Sequence, residues 1–258
     1  MDDERILLTT DGQIATITLN RPEKLNAIDL TMLARLDEIA GELERRDDLR
    51  VVLLTGAGER AFSVGADINA WSALQPLDMW RHWVREGHRV FARLAHMRQP
   101  LIASLNGSAF GGGLELALAA DIRLAAAEAE FALPEVKIAT LPGWGGTQRL
   151  PALIGPARAK QLIFSGARID ATTAERWGLI NEVIPRAELL ARARSLAEQI
   201  AGNAPVSVQI AKQVIDGAGG SAGVVLEALA GALAATTEDA REGQASFRER
   251  RPPRFTGR

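Results

Sequence analysis

The chain has 258 residues, of which 47% are hydrophobic and 24% are charged, which is typical of a globular protein rather than of a disordered or membrane-spanning one. Its 30 basic and 32 acidic residues give a formal net charge of −2, so no broad basic surface is available for a nucleic-acid backbone. The absence of cysteine excludes disulfides, thiolate nucleophiles, cysteine-bound zinc and iron–sulfur clusters.

The sequence carries no targeting or membrane signal that we recognise. The start at Met1 is acidic and resembles neither a signal peptide nor a transit peptide. No uninterrupted apolar stretch reaches the roughly 18 residues needed to cross a bilayer. We therefore expect a cytoplasmic protein, with no membrane partner and no nucleic-acid partner.

The first fifty residues predict a hairpin followed by a helix. Residues 6–10 and 14–19 have strand character and flank the turn pair Asp11-Gly12. From Asp29 onward, apolar residues recur at helical spacing among charged ones, and Asp29 itself is a candidate N-cap.

The middle of the chain continues this alternation. Residues 51–54 and 101–105 predict short buried strands, and residues 78–97 predict a helix after a break at Pro76. A glycine-rich turn over residues 106–113 then leads to an apolar helix that starts near Leu114. Strands that alternate with helices predict an α/β domain.

The last quarter of the chain has helical character throughout. Helices with no strand to cover usually pack on each other or on a neighbouring subunit. We therefore predict an α/β core over residues 1–186 and a helical region over residues 187–258 that packs on itself or on a neighbouring subunit. The predicted helices of this region span residues 187–200, 206–216, 224–235 and 239–248.

Two glycine-containing turns are candidates for binding negative charge. Gly111-Gly112-Gly113 lies where a strand leads into a helix, whose first N–H groups have no partner within the helix. A second turn, residues 62–68, also follows a strand. One donor from each turn could hold a single oxygen, as in an oxyanion hole. Glycines alone, however, favour the simpler interpretation of tight turns with close packing.

Two carboxylates stand out because their neighbours are apolar. Glu115 lies among Leu114, Leu116 and Leu118, and Glu135 follows the Leu133-Pro134 pair. A carboxyl group in an apolar wall has a raised pKa, which suits acid or base catalysis near neutral pH. Either residue could instead complement the dipole at a helix start, and the spacing alone favours this alternative.

Other motifs are set aside. Gly219-Gly220-Ser221-Ala222-Gly223 matches a hydrolase nucleophile elbow, but it follows a helical stretch and has no histidine after it. His82, His88 and His96 fall in one predicted helix at spacings that do not form a metal pair, and we expect them to be partly exposed. We predict no metal site.

Four motifs in order carry a family resemblance. Together they resemble the crotonase (enoyl-CoA hydratase/isomerase) superfamily, although each alone is weak. The likeness covers essentially the whole chain, because residues 178–183 and the ending at 255–258 fit as well. The motifs are NRPEKLNA at 20–27, GADI at 65–68, NGSAFGGGLE at 106–115 and LPGWGGTQRL at 141–150.

The resemblance implies a fold and an assembly. The fold is a crotonase-like spiral of β-β-α units, which makes residues 1–186 the catalytic core, with a C-terminal helical trimerisation region over residues 187–258 that also covers the pocket. The assembly is a homotrimer or a hexamer formed as a dimer of trimers. The substrate is an acyl-CoA thioester, and no metal or separate cofactor is needed because coenzyme A arrives with the substrate.

The resemblance also implies the site residues. The backbone N–H groups of Ala66 and Gly112 would hold the thioester oxygen. Hydratases of this superfamily have glutamate at the positions of both Glu115 and Glu135, whereas isomerases commonly keep one carboxylate. We therefore assign Glu115 as the base for water and Glu135 as the acid for Cα, although two neighbouring carboxyl groups titrate as a pair.

Further substrate contacts are expected from the motifs, with one departure. Asn69 stands where many relatives have a lysine that reaches the CoA phosphates, so Lys24, Arg254 or a neighbouring subunit would replace it. Trp71 lies near positions that line the acyl pocket in relatives. The contacts expected with substrate or CoA are Lys24, Leu25, Ala27, Asp67, Ile68, Asn69, Gly111 and Trp144.

The sequence predicts an enoyl-CoA hydratase that adds water to a 2-enoyl-CoA thioester. A double-bond isomerase is the alternative enzyme, and a non-catalytic oligomeric CoA-thioester-binding protein is the alternative from another class. Acyl-chain length, pathway and the choice between trimer and hexamer remain open.

Overall fold

The computed structural model describes residues 5–217 and 221–258. The acidic first four residues, and Gly219 and Gly220 of the motif set aside above, lie outside these ranges.

Strands in these ranges form a six-stranded and a four-stranded sheet. The order is β1-β2-β3-β5-β7-β10 in the larger sheet and β4-β6-β8-β9 in the smaller one. The strands are β1 (Ile6–Asp11), β2 (Ile14–Leu19), β3 (Val51–Gly56), β4 (Ala61–Ser63), β5 (Leu101–Leu105), β6 (Ser108–Phe110), β7 (Ile122–Ala126), β8 (Glu130–Ala132), β9 (Ile169–Asp170) and β10 (Glu182–Ile184).

Helices surround the sheets and make up the C-terminal part. They are α1 (Leu30–Glu44), α2 (Ile68–Trp71), α3 (Pro76–Asp78), α4 (Arg85–His96), α5 (Gly112–Ala117), α6 (Gly146–Ser165), α7 (Ala171–Trp177), α8 (Arg186–Ala201), α9 (Pro205–Gly217), α10 (Ser221–Ala235) and α11 (Glu238–Glu249).

From β3 to β8, successive strands alternate between the two sheets, and this alternation forms the spiral. β3, β5 and β7 lie side by side in the larger sheet, while β4, β6 and β8, which follow them in the chain, lie side by side in the smaller one. These neighbours are parallel. The α/β prediction and the spiral of repeated units are confirmed. The glycine-rich turns at the ends of β4 and β6 are thereby brought together.

The early elements form as predicted. β1 and β2 pair antiparallel around the Asp11-Gly12 turn. Asp29 caps α1, since its side chain accepts a hydrogen bond from the backbone N–H of Met32 at 2.9 Å. The apolar face of α1 is buried in the core through Leu33 and Leu36.

Three details differ from the predictions. The helix expected over residues 78–97 begins at Pro76 and contains a π-helical segment, Met79–Val84, before α4. The turn over residues 106–113 contains the short strand β6, which is stabilised by pairing with β4 and β8. α5 begins at Gly112 rather than near Leu114.

The C-terminal helices differ in how much of their surface is covered. α8 packs on the six-stranded sheet and buries Leu189, Ala193 and Ala197. α10 contacts α9 and α11, and its Leu229 and Leu233 are exposed. These uncovered apolar side chains fit a trimerisation region. The predicted boundary at residue 187 falls within α8, and the division at that position stays a prediction.

None of the helices in the described part of the chain combines the length and apolar character that crossing a membrane requires.

Candidate active site

A cavity of about 260 Å³ lies where the glycine-rich turns meet α5 and the segment after β8. Ala66, Gly112, Glu115 and Glu135 all line it. Its remaining walls are mainly apolar and come from the α2–α4 region and from residues 138–144. These wall residues include Val64, Ile68, Trp71, Met79, Trp83, Val84, Ile138, Leu141 and Trp144.

The two turns approach each other closely because glycine occupies the contact points. Gly65 has φ +97°, and a Cβ at this residue would lie 2.7 Å from the carbonyl oxygen of Phe110 and 2.9 Å from the nitrogen of Gly112. A Cβ on Gly112 would lie 3.4 Å from the nitrogen of Ala66. The backbone nitrogens of Ala66 and Gly112 are therefore neighbours in space although they are far apart in sequence.

Both of these N–H groups remain available to a ligand. The residues on either side of Ala66 pair with Ile28, through Ile28 N–H to the Gly65 oxygen at 2.7 Å and Asp67 N–H to the Ile28 oxygen at 2.8 Å. Within the described residues, neither Ala66 N–H nor Gly112 N–H donates to a protein acceptor. Two unpaired donors beside one cavity can stabilise a single negatively charged oxygen.

Glu115 is buried and its carboxylate is held by backbone donors. It lies in the first turn of α5 and is 2% exposed. Oε1 accepts hydrogen bonds from the N–H of Trp144 at 2.7 Å and from the N–H of Gly146 at 2.8 Å. Burial raises the pKa of Glu115, and these N–H groups and the charge of Arg149 act in the opposite direction.

Glu135 has a different environment. It opens a short 3-10 helix, Glu135–Ile138, directly after Pro134. Its Oε2 is buried and has no hydrogen-bond partner among the described residues. Burial, with a smaller contribution from the charge of Glu115, raises the pKa of Glu135 to about 7. A Cβ on Gly111 would lie 3.0 Å from Oε1 of Glu135, so this carboxyl group lies against the Gly111-Gly112 turn.

Trp144 forms a wall of the cavity and is fixed on several sides. Its Nε1 donates to the carbonyl oxygen of Trp83 at 3.2 Å. Its ring centroid lies 5.3 Å from the rings of both Trp83 and Phe91. Gly87 and Gly112 contact its faces, and a Cβ at either glycine would overlap the ring. The sequence pointed to Trp144 as a substrate contact but not to its N–H as a partner of Glu115.

Some predicted contacts lie on the cavity and others do not. Ile68, Gly111, Trp71 and Trp144 line it, whereas the remaining residues of the predicted contact set do not. Lys24 and Asn69 are exposed. The predicted contacts that do not line the cavity are Lys24, Leu25, Ala27, Asp67 and Asn69.

Asp67 has structural partners of its own. Its Oδ2 accepts from Arg21 Nη1 at 2.8 Å, and its Oδ1 accepts from the N–H of Asn69 at 3.1 Å, which caps α2. Arg21 also donates to the carbonyl oxygen of Ala27 at 3.0 Å. These bonds fix the turn that presents Ala66, and the contacts of this region with CoA stay a prediction.

The structure adds functional candidates that the sequence did not single out. The π-helical segment contributes three apolar residues to the cavity wall, Met79, Trp83 and Val84. Their spacing in the sequence indicated only a helix. Arg149 acts on Glu115 from behind the cavity. Its place in the LPGWGGTQRL motif was the one available signal.

The histidines take no part in this site. His82, His88 and His96 are exposed, as expected from the sequence. Across residues 5–217 and 221–258, no group of three or more His, Asp or Glu side chains is placed to hold a metal ion.

Comparisons with known proteins agree with this geometry. The family model described as enoyl-CoA hydratase/isomerase matches residues 9–258. The chain is 42% identical over 216 residues to the short-chain-enoyl-CoA hydratase of Clostridium acetobutylicum, covering 84% of this chain and 82% of that protein. It is 40% identical to the (E)-benzylidenesuccinyl-CoA hydratase of Thauera aromatica, covering 98% of this chain and 99% of that protein.

A solved structure shows the same fold. The crystal structure of an enoyl-CoA hydratase from Bacillus anthracis superposes with a TM-score of 0.96 at 38% identity, covering 99% of this chain and all of that one. A match of this extent includes the spiral core, the cavity and the C-terminal helices. The chain therefore belongs to the enoyl-CoA hydratase/isomerase family.

Proposed function

We propose that the protein is an enoyl-CoA hydratase, which reversibly adds water across the Cα=Cβ bond of a 2-enoyl-CoA thioester. One observation carries the proposal: a buried glutamate, a half-buried glutamate and two unpaired backbone N–H groups of the described residues line the same cavity. Two relatives that are named hydratases support it, and this chain matches each of them over most of its length.

The N–H groups of Ala66 and Gly112 would bind the thioester oxygen. When water attacks Cβ, the π electrons move toward the carbonyl and negative charge develops on that oxygen. Donors that are already fixed in position stabilise this enolate, by about 3–4 kcal/mol for one donor in a comparable site.

The two glutamates would supply the proton transfers. Glu115, whose Oε1 is held by two N–H groups, has donors that stabilise its carboxylate form against the effect of burial, and it accepts a proton from the attacking water. Glu135, whose Oε2 has no donor, has the environment that favours the neutral acid, and it gives its proton to Cα. One water is consumed, and solvent exchange returns both groups to their starting states.

The apolar walls suit the hydrocarbon part of an acyl group. Trp71, Trp83 and Trp144 present rings rather than charges to the cavity. A chain bound here is separated from bulk water, which strengthens the interactions of the enolate with its donors. Assembly as a trimer or hexamer and a cytoplasmic location are part of this proposal.

The experiment that tests the proposal is turnover of 2-enoyl-CoA substrates of graded chain length in ¹⁸O-labelled water. A hydratase places one ¹⁸O at Cβ and removes the conjugated absorbance. A double-bond isomerase gives a shifted double bond with no ¹⁸O, and a binding protein leaves the substrate unchanged. Either of these results for every substrate would contradict the proposal.

A further inference from the structure

Arg149 contacts the turn that holds Glu115 but stays outside the substrate cavity. It lies in the first turn of α6, and its Nη1 donates to the carbonyl oxygen of Trp144 at 3.2 Å. The same Nη1 lies against Gly145, where a Cβ would overlap it. Trp144 and Gly146, on either side of this glycine, provide the two N–H groups bound to Oε1 of Glu115.

Arg149 lines a second cavity of about 790 Å³, which lies between the end of α4, residues 118–123, α6 and α9. This cavity shares no lining residue with the first one. Arg149 therefore acts on Glu115 from outside the lining of the first cavity.

The other charged groups of the second cavity have separate partners or stand at its edge. Asp121 accepts from Lys212 Nζ at 2.8 Å. Arg123 donates to the carbonyl oxygens of Leu179 at 2.7 Å and of Ala120 at 2.6 Å. The remaining titratable residues that line it are His96 and Asp216, both exposed.

Arg149 interacts electrostatically with Glu115. Burial lowers the pKa of Arg149, and the one carboxylate that raises it is Glu115. The influence is mutual, since the charge of Arg149 lowers the pKa of Glu115. The other titratable residues that line the cavity with Glu115 are Glu135, whose pKa the charge of Glu115 raises, and Lys137.

We propose that Arg149 is a positioning residue. It holds the carbonyl group of Trp144 so that the N–H groups of Trp144 and Gly146 stay directed at Glu115, and it places a positive charge behind that carboxylate. The catalytic consequence rests on the proposed hydratase function, whereas the effect on Glu115 does not.

Substitution of Arg149 tests this role. Arg149→Met keeps much of the side-chain length and removes the donors and the charge, so Glu115 should stay protonated to higher pH. We expect the acidic limb of the kcat/KM profile for a short 2-enoyl-CoA to move up by about one pH unit, the low end of the range for loss of an adjacent opposite charge. Arg149→Lys keeps the charge, so its acidic limb should lie close to that of the unmodified protein.

The matched control is Arg158→Met, in the part of α6 that follows the kink at Gly155. Arg158 is exposed, and its guanidinium carbon lies 5.6 Å from the centre of the Trp177 ring. Its contacts are therefore with Trp177 and not with the 144–146 turn. The control should leave the limb where it is in the unmodified protein. A general destabilisation of α6 would lower the rate in both Met variants without moving the limb.

A readout independent of turnover separates this inference from the proposed function. The infrared C=O band of the protonated Glu115 carboxyl, assigned by its loss in Glu115→Gln, is followed against pH in each folded protein. We expect its midpoint to rise in Arg149→Met and to return toward the original value in Arg149→Lys. An unchanged midpoint in Arg149→Met would overturn the role of Arg149, and a shifted midpoint in a protein without hydratase turnover would overturn only the proposed function.

Discussion

Two neighbouring regions of the molecule each hold a glutamate, and they give it different surroundings. At the start of α5, the buried Glu115 receives two backbone hydrogen bonds from the 144–146 turn and has Arg149 behind it. After β8, Glu135 is half-buried, its buried Oε2 has no hydrogen-bond partner among the described residues, and the like charge of Glu115 is its neighbour. Both regions line one cavity.

The difference shows how position, rather than residue type, assigns acid and base. Burial raises the pKa of both groups because it disfavours the charged form. Glu115 has two backbone donors from the 144–146 turn and the charge of Arg149 to stabilise its carboxylate, whereas the donor to Glu135 is its own backbone N–H. A pair of carboxyl groups whose surroundings differ in this way provides one group that accepts a proton and one that donates it.

The largest expected effect is on turnover. Glu115→Gln and Glu135→Gln should each lower kcat for hydration by about 10²–10⁴-fold, because each removes one proton transfer. Assembly and binding of a saturated acyl-CoA should remain, since glutamine keeps the size of the side chain. Steady-state kinetics, size-exclusion chromatography and calorimetry measure these three properties, and unchanged rates in both variants would favour a binding protein.

Truncating each glutamate to alanine compares the two environments through the free energy of unfolding. Glu115→Ala leaves the N–H groups of Trp144 and Gly146 buried without an acceptor, at about 1–3 kcal/mol each. Glu135→Ala removes a group whose Oε2 already lacks a partner, so its loss should be much smaller. Urea unfolding at one fixed protein concentration compares the two, and equal losses would show that the two environments do not differ.

The pH dependence of stability provides the next test. The folded-state pKa of Glu135 is about 7 against an ordinary value of 4.5. A raised pKa gives stability that is complete below the unfolded-state value and is lost as the pH rises through the folded-state value. The free energy of unfolding of Glu135→Gln relative to the unmodified protein should therefore increase by about 2 kcal/mol from pH 4.5 to pH 8, after allowance for partial exposure. A constant difference would contradict the raised pKa.

The smallest expected effect concerns the alkaline limb of activity. If Glu135 delivers a proton to Cα, kcat/KM for hydration should fall above about pH 7, where Glu135 ionises. The residual activity of Glu135→Gln should lack this limb, whereas that of Glu115→Gln should keep it. The full profile is measured with each variant under the same salt conditions.

Local patterns were sufficient to predict much of the fold. The Asp11-Gly12 turn and the Asp29 cap act over a few residues, and both form as expected. The strands β4 and β6 could not be recognised, because three residues carry little periodicity and their pairing partners lie far along the chain.

The sequence predicted the main residues of the site but not the residues that hold them in position. The apolar neighbours of Glu115 indicated a buried carboxyl, and the structure buries it. Its hydrogen-bond donors lie 29 and 31 residues further along, so only the folded chain reveals that they meet. The same holds for Gly87 and Trp144, which contact each other across the cavity wall without any shared sequence pattern.

The most direct test of separate roles for the two carboxyl groups uses a saturated substrate analogue, butyryl-CoA, in D₂O. Exchange of its Cα protons needs the enolate donors and the group that serves Cα, but it does not need activated water. We predict that Glu115→Gln retains Cα exchange within about tenfold of the unmodified protein and that Glu135→Gln loses it to background. Loss of exchange in Glu115→Gln with retention in Glu135→Gln would contradict the assignment.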